Sequence, residues 1–216
     1  MPFSKARIKT FLFTISLLTL AILLQNCAPV FSEMQGARLV GEDNHEFTAG
    51  YTTVSVSNDA ESDALQDEYG LQYAYGLSNH TDLRFRYVHV TSESGDINFN
   101  VIGFGPKFSL KEDIAAFYLP VGFAFGEDLE VSDTWQMHPT FLFTLPLGKN
   151  FELNPSAKAL IPVGNDNDIL IAFNLGAGIS TDFSKWAIRP EFGYMFDPGD
   201  DGHFTQFSIA ISIATH

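Results

Sequence analysis

The sequence predicts an all-β protein, a closed antiparallel up-and-down β-barrel that crosses a membrane with about ten strands, within a range of eight to twelve. Three observations lead to this fold class. Apolar residues alternate with small or polar ones along nearly the whole chain, the large residues of each segment share one face, and nearly all charged residues within the segments share the other. A repeat of two residues is typical of a strand whose faces meet different surroundings.

The stretch DEYGLQYAYGLS, residues 67–78, shows this alternation most clearly. Three tyrosines and two leucines alternate with residues that are mostly glycine, alanine or glutamine. The polar face of a soluble sheet usually carries Lys, Glu and Thr, which suit strands in contact with water. Glycine and alanine suit a crowded interior better, so the large face, which includes Leu71, is predicted to be the outside of the barrel and Gln72 to face its lumen.

The same alternation recurs in ten segments, and no segment has the pattern of a helix. The predicted strands are 46–57, 66–78, 82–92, 99–110, 114–126, 134–147, 151–163, 169–181, 186–196 and 204–215. Strands of about 10 to 13 residues are long enough to cross a bilayer at a tilt. Only a closed barrel satisfies the backbone hydrogen bonds of such strands in lipid.

Four prolines lie inside these segments, and two tryptophans lie at segment ends. Proline removes a hydrogen bond from a strand ladder, so we expect bulges at Pro120, Pro139, Pro155 and Pro190. Trp135 begins a strand that runs opposite to the one that Trp186 begins, so the two rings are predicted to lie at opposite ends of the barrel.

Seven charged residues are predicted to form a network in the lumen, because all of them lie on the small or polar face. They are Arg84, Arg86, Lys107, Glu152, Lys158, Arg189 and Glu191. A cation on the lipid face costs about 2–4 kcal/mol at the bilayer midplane, which agrees with their absence from that face. One interpretation is a constriction that selects solutes by charge. The favoured one is a salt-bridged plug, since barrels of eight to ten strands have little open lumen.

The N-terminus has the features of an export signal. Lys5, Arg7 and Lys9 precede the apolar run 11–24, which is too short to span a bilayer as a helix. The predicted organisation is a signal peptide over 1–26, an extended and mobile periplasmic lead over 27–45, and the barrel over 46–216.

Two cleavage positions are compatible with this signal. Leu24-Gln25-Asn26-Cys27 resembles a bacterial lipoprotein processing site, a resemblance that implies Cys27 as a lipidated first residue. Asn26 departs from the small residue that usually precedes the cysteine. An ordinary cleavage after Ser32, with Val30 two residues before it, is the alternative.

Over 46–216 the chain resembles the single-chain outer-membrane β-barrels of Gram-negative bacteria. The resemblance implies a monomer integral to the outer membrane, with long loops outside the cell and short turns in the periplasm. An even number of strands would place both termini in the periplasm. Because this architecture hosts pores, adhesins and enzymes, it implies no particular activity.

The predicted function is a structural or binding role with a largely plugged lumen. A narrow, porin-like passive channel is the alternative, and an outer-membrane protease or lipid hydrolase with a site at the rim is the third hypothesis. Inward-facing His138, at a similar height to Glu68, motivates the third. Neither residue matches a catalytic motif, so we predict that the protein is not an enzyme.

The net charge of the sequence and the absence of known motifs limit the classes of partner that the protein is predicted to bind. The sequence has 26 acidic and 12 basic residues, a balance that argues against nucleic acid, and it has no cofactor or metal motif. The five longer loops hold fourteen carboxylates and no Lys or Arg. The predicted partners are outer-membrane lipids and lipopolysaccharide, the latter through divalent cations, which carboxylate oxygens bind well.

Overall fold

Strands make up most of the computed structural model, which describes residues 30–58, 61–92, 98–127, 129–164, 168–200 and 202–215. They are β1 (His45–Asn58), β2 (Glu61–Ser78), β3 (Thr81–Ser92), β4 (Asn98–Lys111), β5 (Ala115–Tyr118), β6 (Val121–Gly126), β7 (Gln136–Met137), β8 (Thr140–Phe143), β9 (Leu145–Pro146), β10 (Phe151–Pro162), β11 (Leu170–Ile179), β12 (Trp186–Phe196) and β13 (His203–Thr215). A short 3-10 helix covers Val131–Asp133. In the described ranges, no helix has the length and apolarity needed to cross a membrane.

These strands form a closed barrel of ten antiparallel strands, which confirms the predicted fold class. β5 and β6 together form the fifth strand of the barrel, and β7, β8 and β9 form the sixth. Each barrel strand pairs with its neighbours in the sequence. The barrel closes where β13 pairs with β1, from His45 opposite Thr215 to Ser57 opposite His203. A closed sheet has no edge strand with unpaired backbone groups.

Burial along the strands agrees with the predicted faces. In β2, Tyr69 and Leu71 are exposed on the outer surface, whereas Glu68, Gln72 and Ala74 are buried. The same alternation continues around the barrel, where the outer surface carries exposed Phe, Tyr, Leu and Ile side chains from nearly every strand. Large side chains therefore cover the outside and smaller or polar ones point into the lumen.

Two of the four prolines explain why two barrel strands are split. Pro120 separates β5 from β6, and Pro139 separates β7 from β8. The carbonyls of both prolines still accept hydrogen bonds, from the amides of His138 (2.9 Å) and Ala159 (3.2 Å). At the other two prolines the register is regular, with Pro155 opposite Leu175 in β11 and Pro190 opposite Ile209 in β13. The register is also continuous across Pro120 and Pro139, since Phe104 pairs with Val121 and Lys107 with Tyr118, while Lys158 pairs with Thr140 and Ile161 with Met137. The expectation of a bulge was therefore wrong at all four positions.

The two ends of the barrel differ in their connections. One end, called the turn end below, holds the start of β1, the end of β13 and the connections 79–80, 112–114, 147–150 and 180–185. The other, the loop end, holds the ends of β1, β3, β6, β10 and β12 and the starts of β2, β4, β7, β11 and β13. Trp135 lies at the loop end and Trp186 at the turn end, so the two are at opposite ends as predicted.

Residues 31–44 run through the lumen without regular secondary structure, and this lumen segment corrects the sequence interpretation. A mobile lead was expected here, but Phe31–Ala37 are buried. Phe31 packs against Val54, nine residues along β1 from the turn end. Near the turn end, Asp43 donates its amide to Gly76 (2.9 Å), and Gly76 donates to Asn44 (3.0 Å). The segment therefore descends from the loop half of the lumen to the turn end.

Gly76 allows the lumen segment to approach β2 closely. A Cβ at Gly76 would overlap the carbonyl of Gly41, whereas a Cβ at Gly70, in the same strand and on the same face, would meet the Met34 Cε at an ordinary 3.5 Å. We predict that Gly76→Ala lowers the free energy of unfolding by about 1–3 kcal/mol, the range for overpacking, and that Gly70→Ala does so by less. Denaturant unfolding in detergent measures both, and equal effects would contradict the close approach at Gly76.

Candidate functional site: the occupied lumen

The seven charged residues predicted for the lumen all lie on the inner face of the barrel. Six are buried, and Arg86 is partly buried. Within the seven, Arg189 Nη1 lies 3.7 Å from Glu152 Oε1. Glu152 also pairs with Arg38 at 3.0 Å, and the remaining ion pairs of these residues run to carboxylates outside the predicted set. The charges are thus brought into one lumen, where three further acidic residues link them.

Glu46 and Asp82 organise the charges near the turn end. Arg84 lies 3.3 Å from a carboxylate oxygen of each, and Arg189 reaches Glu46 at 3.8 Å. Glu46 and Asp82 lie in phase with the inward residues of β1 and β3. Both begin predicted strands, 46–57 and 82–92, so the two-residue period placed them on the inner face, but the predicted network did not include them.

Glu33 of the lumen segment organises the charges at the centre. Its side chain is 1% exposed, and its Oε1 lies 2.6 Å from the Lys158 Nζ. Its Oε2 lies 3.7 Å from Arg86 and accepts a hydrogen bond of 2.7 Å from Gln35. Glu33 lies outside the alternating segments, so no periodic signal pointed to it. Two of the predicted lumen cations therefore have their carboxylate on a segment expected to be outside the barrel.

Glu191 binds the backbone of the same segment. Its two carboxylate oxygens accept hydrogen bonds from the amides of Glu33 (2.8 Å) and Met34 (2.9 Å). Gln206 donates a further bond of 3.0 Å to the same carboxylate. Buried amides require acceptors, and the strand backbones are paired with one another around the wall. A strand carboxylate replaces the missing partner.

Lumen side chains also satisfy the carbonyls of the segment. Lys107 Nζ donates bonds of 2.7 Å to both Gly36 and Arg38. Gln72 donates to the carbonyl of Glu33 at 3.0 Å, and Asn174 donates to that of Phe31 at 2.9 Å. Donors from β2, β4 and β11 therefore hold the backbone from several sides of the barrel.

Apolar contacts complete the packing at two heights. Towards the loop end, Phe31 is fully buried against Val54, Leu160, Ala172 and Met195. Towards the turn end, Ala37 packs with Ala116, Tyr118 and Leu142. The charged groups around Glu33 lie between these two clusters, so the described lumen is filled by packed side chains at three successive levels.

The residues behind the hydrolase hypothesis have separate partners. His138 Nε2 lies 2.9 Å from Gln136 Oε1, whereas Glu68 accepts a bond of 2.8 Å from Gln66. In the part of the chain that the structure describes, no group of three or more His, Cys, Asp or Glu residues could hold a metal ion. Cys27 and the signal peptide lie outside the described residues.

Comparison with known proteins shows similarity in fold. Neither a protein-family model nor a curated protein matches the chain. The outer membrane channel of the COG4313 group from Pseudomonas putida F1 is similar with a TM-score of 0.51 and 12% identity, over 87% of this chain and all of that one. The translocator domain of the autotransporter NalP from Neisseria meningitidis has a TM-score of 0.46 and 8% identity, over 79% of this chain and 88% of that one. Ail, the attachment invasion locus protein of Yersinia pestis, has a TM-score of 0.38 and 12% identity, over 81% and 99%.

Removing one partner of the Glu33–Lys158 pair should leave the other charge buried in the lumen without an ion-pair partner. We predict that Glu33→Gln and Lys158→Gln each lower the free energy of unfolding by about 3–5 kcal/mol, as is usual for broken buried pairs. The double variant should lose clearly less than the two together. A matched control is the exposed Asp182–Lys185 pair at 3.1 Å, where the same changes should cost about 0–1 kcal/mol. Denaturant unfolding measures these changes. If the two pairs lost equal amounts of unfolding free energy, and if the losses at Glu33 and Lys158 were additive, the buried pairing would be contradicted.

Proposed function

We propose that this chain is an integral outer-membrane β-barrel protein whose own N-terminal segment closes the lumen, with a structural or binding role rather than a catalytic one. The observation that carries the proposal is the burial of Phe31–Ala37 among the inward side chains of the barrel. A role as a plug explains why Arg86, Lys107, Lys158 and Glu191 have partners on that segment.

The outer surface supports insertion into a membrane. Exposed phenylalanine, leucine and isoleucine side chains surround the barrel, among them Phe47, Leu71, Phe173, Phe192 and Ile209. Soluble monomers rarely expose contiguous apolar patches beyond a few hundred Å². Lipid is the natural environment of such a surface, and single-chain barrels of this kind belong to outer membranes. We propose that the turn end lies in the periplasm and the loop end outside the cell, because barrels of this kind have short periplasmic turns and longer external loops.

The filled lumen supports closure rather than conduction. A channel needs a continuous polar path, but the charged level around Glu33 lies between two packed apolar clusters. The cations Lys107 and Lys158 are also occupied, since their ammonium groups contact backbone carbonyls and the Glu33 carboxylate. Solute ions would have to displace these internal partners to pass.

A binding role at the loop end has a simple electrostatic basis. Glu127, Glu130 and Asp168 are exposed there, and the sequence places no Lys or Arg in the longer loops. We propose that divalent cations bridge these carboxylates to the anionic groups of lipopolysaccharide, because carboxylate oxygens are good ligands for Ca²⁺ and Mg²⁺.

A narrow channel is the second candidate, favoured by one comparison. The Pseudomonas putida F1 protein of similar fold is an outer membrane channel. In this chain, the polar side chains that bind the segment would line a pore if the segment withdrew. The channel would then be a second state of the same barrel.

Conductance in planar bilayers tests closure. We predict that the intact protein conducts poorly, and that replacing residues 31–37 with a glycine-serine sequence of equal length produces stable conductance. Replacing the loop-end residues 129–133 in the same way is the control, and should leave conductance at the intact level. A large conductance in the intact protein would favour the channel.

If the barrel is inserted in lipid, a charged residue on its outer face should lower the free energy of unfolding by an amount that depends on its depth in the bilayer. Leu71, in the middle of β2, and Leu147, in a turn-end connection, are both 58% exposed. Leu71→Arg should lower the free energy of unfolding in lipid vesicles by about 2–4 kcal/mol, and Leu147→Arg by about 0–1 kcal/mol. Equal costs at the two leucines would argue that neither contacts the hydrocarbon core.

A further inference from the structure

The two cleavage positions compatible with the signal differ in their consequence for the lumen. Cleavage before Cys27 keeps Phe31 and Ser32 in the mature chain, whereas cleavage after Ser32 removes both. Both residues are buried inside the barrel. The packing of these two positions can therefore discriminate between the cleavage sites.

The Phe31 side chain fills the apolar part of the lumen. It is 0% exposed and packs against the fully buried Val54, Ala172 and Met195, with Leu170 and Phe204 also packed against the cluster. Protein interiors are close-packed, and apolar voids are costly. A chain that began at Glu33 would leave this space without its largest occupant.

The backbone of Phe31 also has a specific partner. Its carbonyl accepts a hydrogen bond of 2.9 Å from Asn174 Nδ2, which also donates to Ser156 Oγ at 3.3 Å. Asn174 is 4% exposed. Loss of the Phe31 carbonyl would remove the shorter of these two bonds from a buried amide.

Charge alone does not disfavour cleavage after Ser32. A chain that began at Glu33 would carry an α-ammonium group where the Glu33 amide now lies, 2.8 Å from a Glu191 oxygen. That group would form a favourable ion pair. The lost packing of the Phe31 side chain and the lost Phe31 carbonyl are therefore the features that disfavour cleavage after Ser32.

We infer that export processing cuts the chain upstream of Phe31, so that the mature protein keeps Phe31 as the apolar anchor of the lumen segment. The inference rests on the proposed closure of the lumen. It identifies cleavage after Ser32 as the alternative that the packing disfavours.

Mass spectrometry of the protein purified from outer membranes tests the cleavage. The expected first residue is at position 31 or before it, with or without acylation of Cys27. A mature chain that begins at Ser32, Glu33 or later would overturn the inference. The mass is read independently of conductance, so an upstream start in a conducting barrel would support the cleavage while refuting the proposed closure.

A pair of substitutions tests the anchor in the full-length protein. Phe31→Ala should lower the melting temperature by several degrees, because it empties a buried site. Phe85→Ala, at an outer-surface phenylalanine that is 44% exposed, should lower it by less. An unchanged melting temperature for Phe31→Ala would show that the anchor is not in its site.

Discussion

The need to satisfy polar groups inside a closed barrel is the constraint on which the rest of this structure depends. The strands satisfy one another's backbones around the wall, but inward side chains such as Lys158 and Glu191 have no water-facing surface. Burial of an unpaired charge is costly, so each needs a partner within the lumen. The lumen segment supplies a carboxylate to Lys158 and backbone amides to Glu191. The inward side chains of the barrel also form hydrogen bonds with the backbone of the lumen segment, which has no regular secondary structure of its own.

The wall of the barrel follows almost directly from the sequence. A period of two, large residues on one face and charges confined to the other are enough to predict ten strands and the facing of Leu71 and Gln72. Local geometry at the prolines is harder to predict. Pro120 and Pro139 interrupt their strands, whereas Pro155 and Pro190 lie within continuous strands, although the register is unchanged across all four. Proline fixes φ and removes one donor, so its local effect depends on the strand geometry and on the neighbour that the amide would have faced.

The content of the lumen could be predicted only in part. Periodicity identified the seven wall charges, and it also placed Glu46 and Asp82, the first residues of two predicted strands, on the inner face, although neither was included in the predicted network. It could not find Glu33, because an irregular segment has no period. The excess of inward cations over inward acids among the seven residues was an available signal. Five of them are basic and two acidic, and a sealed lumen with such an excess requires acidic partners from elsewhere in the chain.

Photocrosslinking from position 31 tests the central claim, the occupied lumen, most directly. A benzophenone amino acid placed at Phe31 in the membrane-embedded protein should crosslink to peptides of β10, β11 and β12 that contain Leu160, Ala172 and Met195, the cluster that surrounds the ring. Crosslinks to these inner residues would show that the segment fills the barrel. Crosslinks only to lipid, to other proteins or to outward-facing residues would contradict the account.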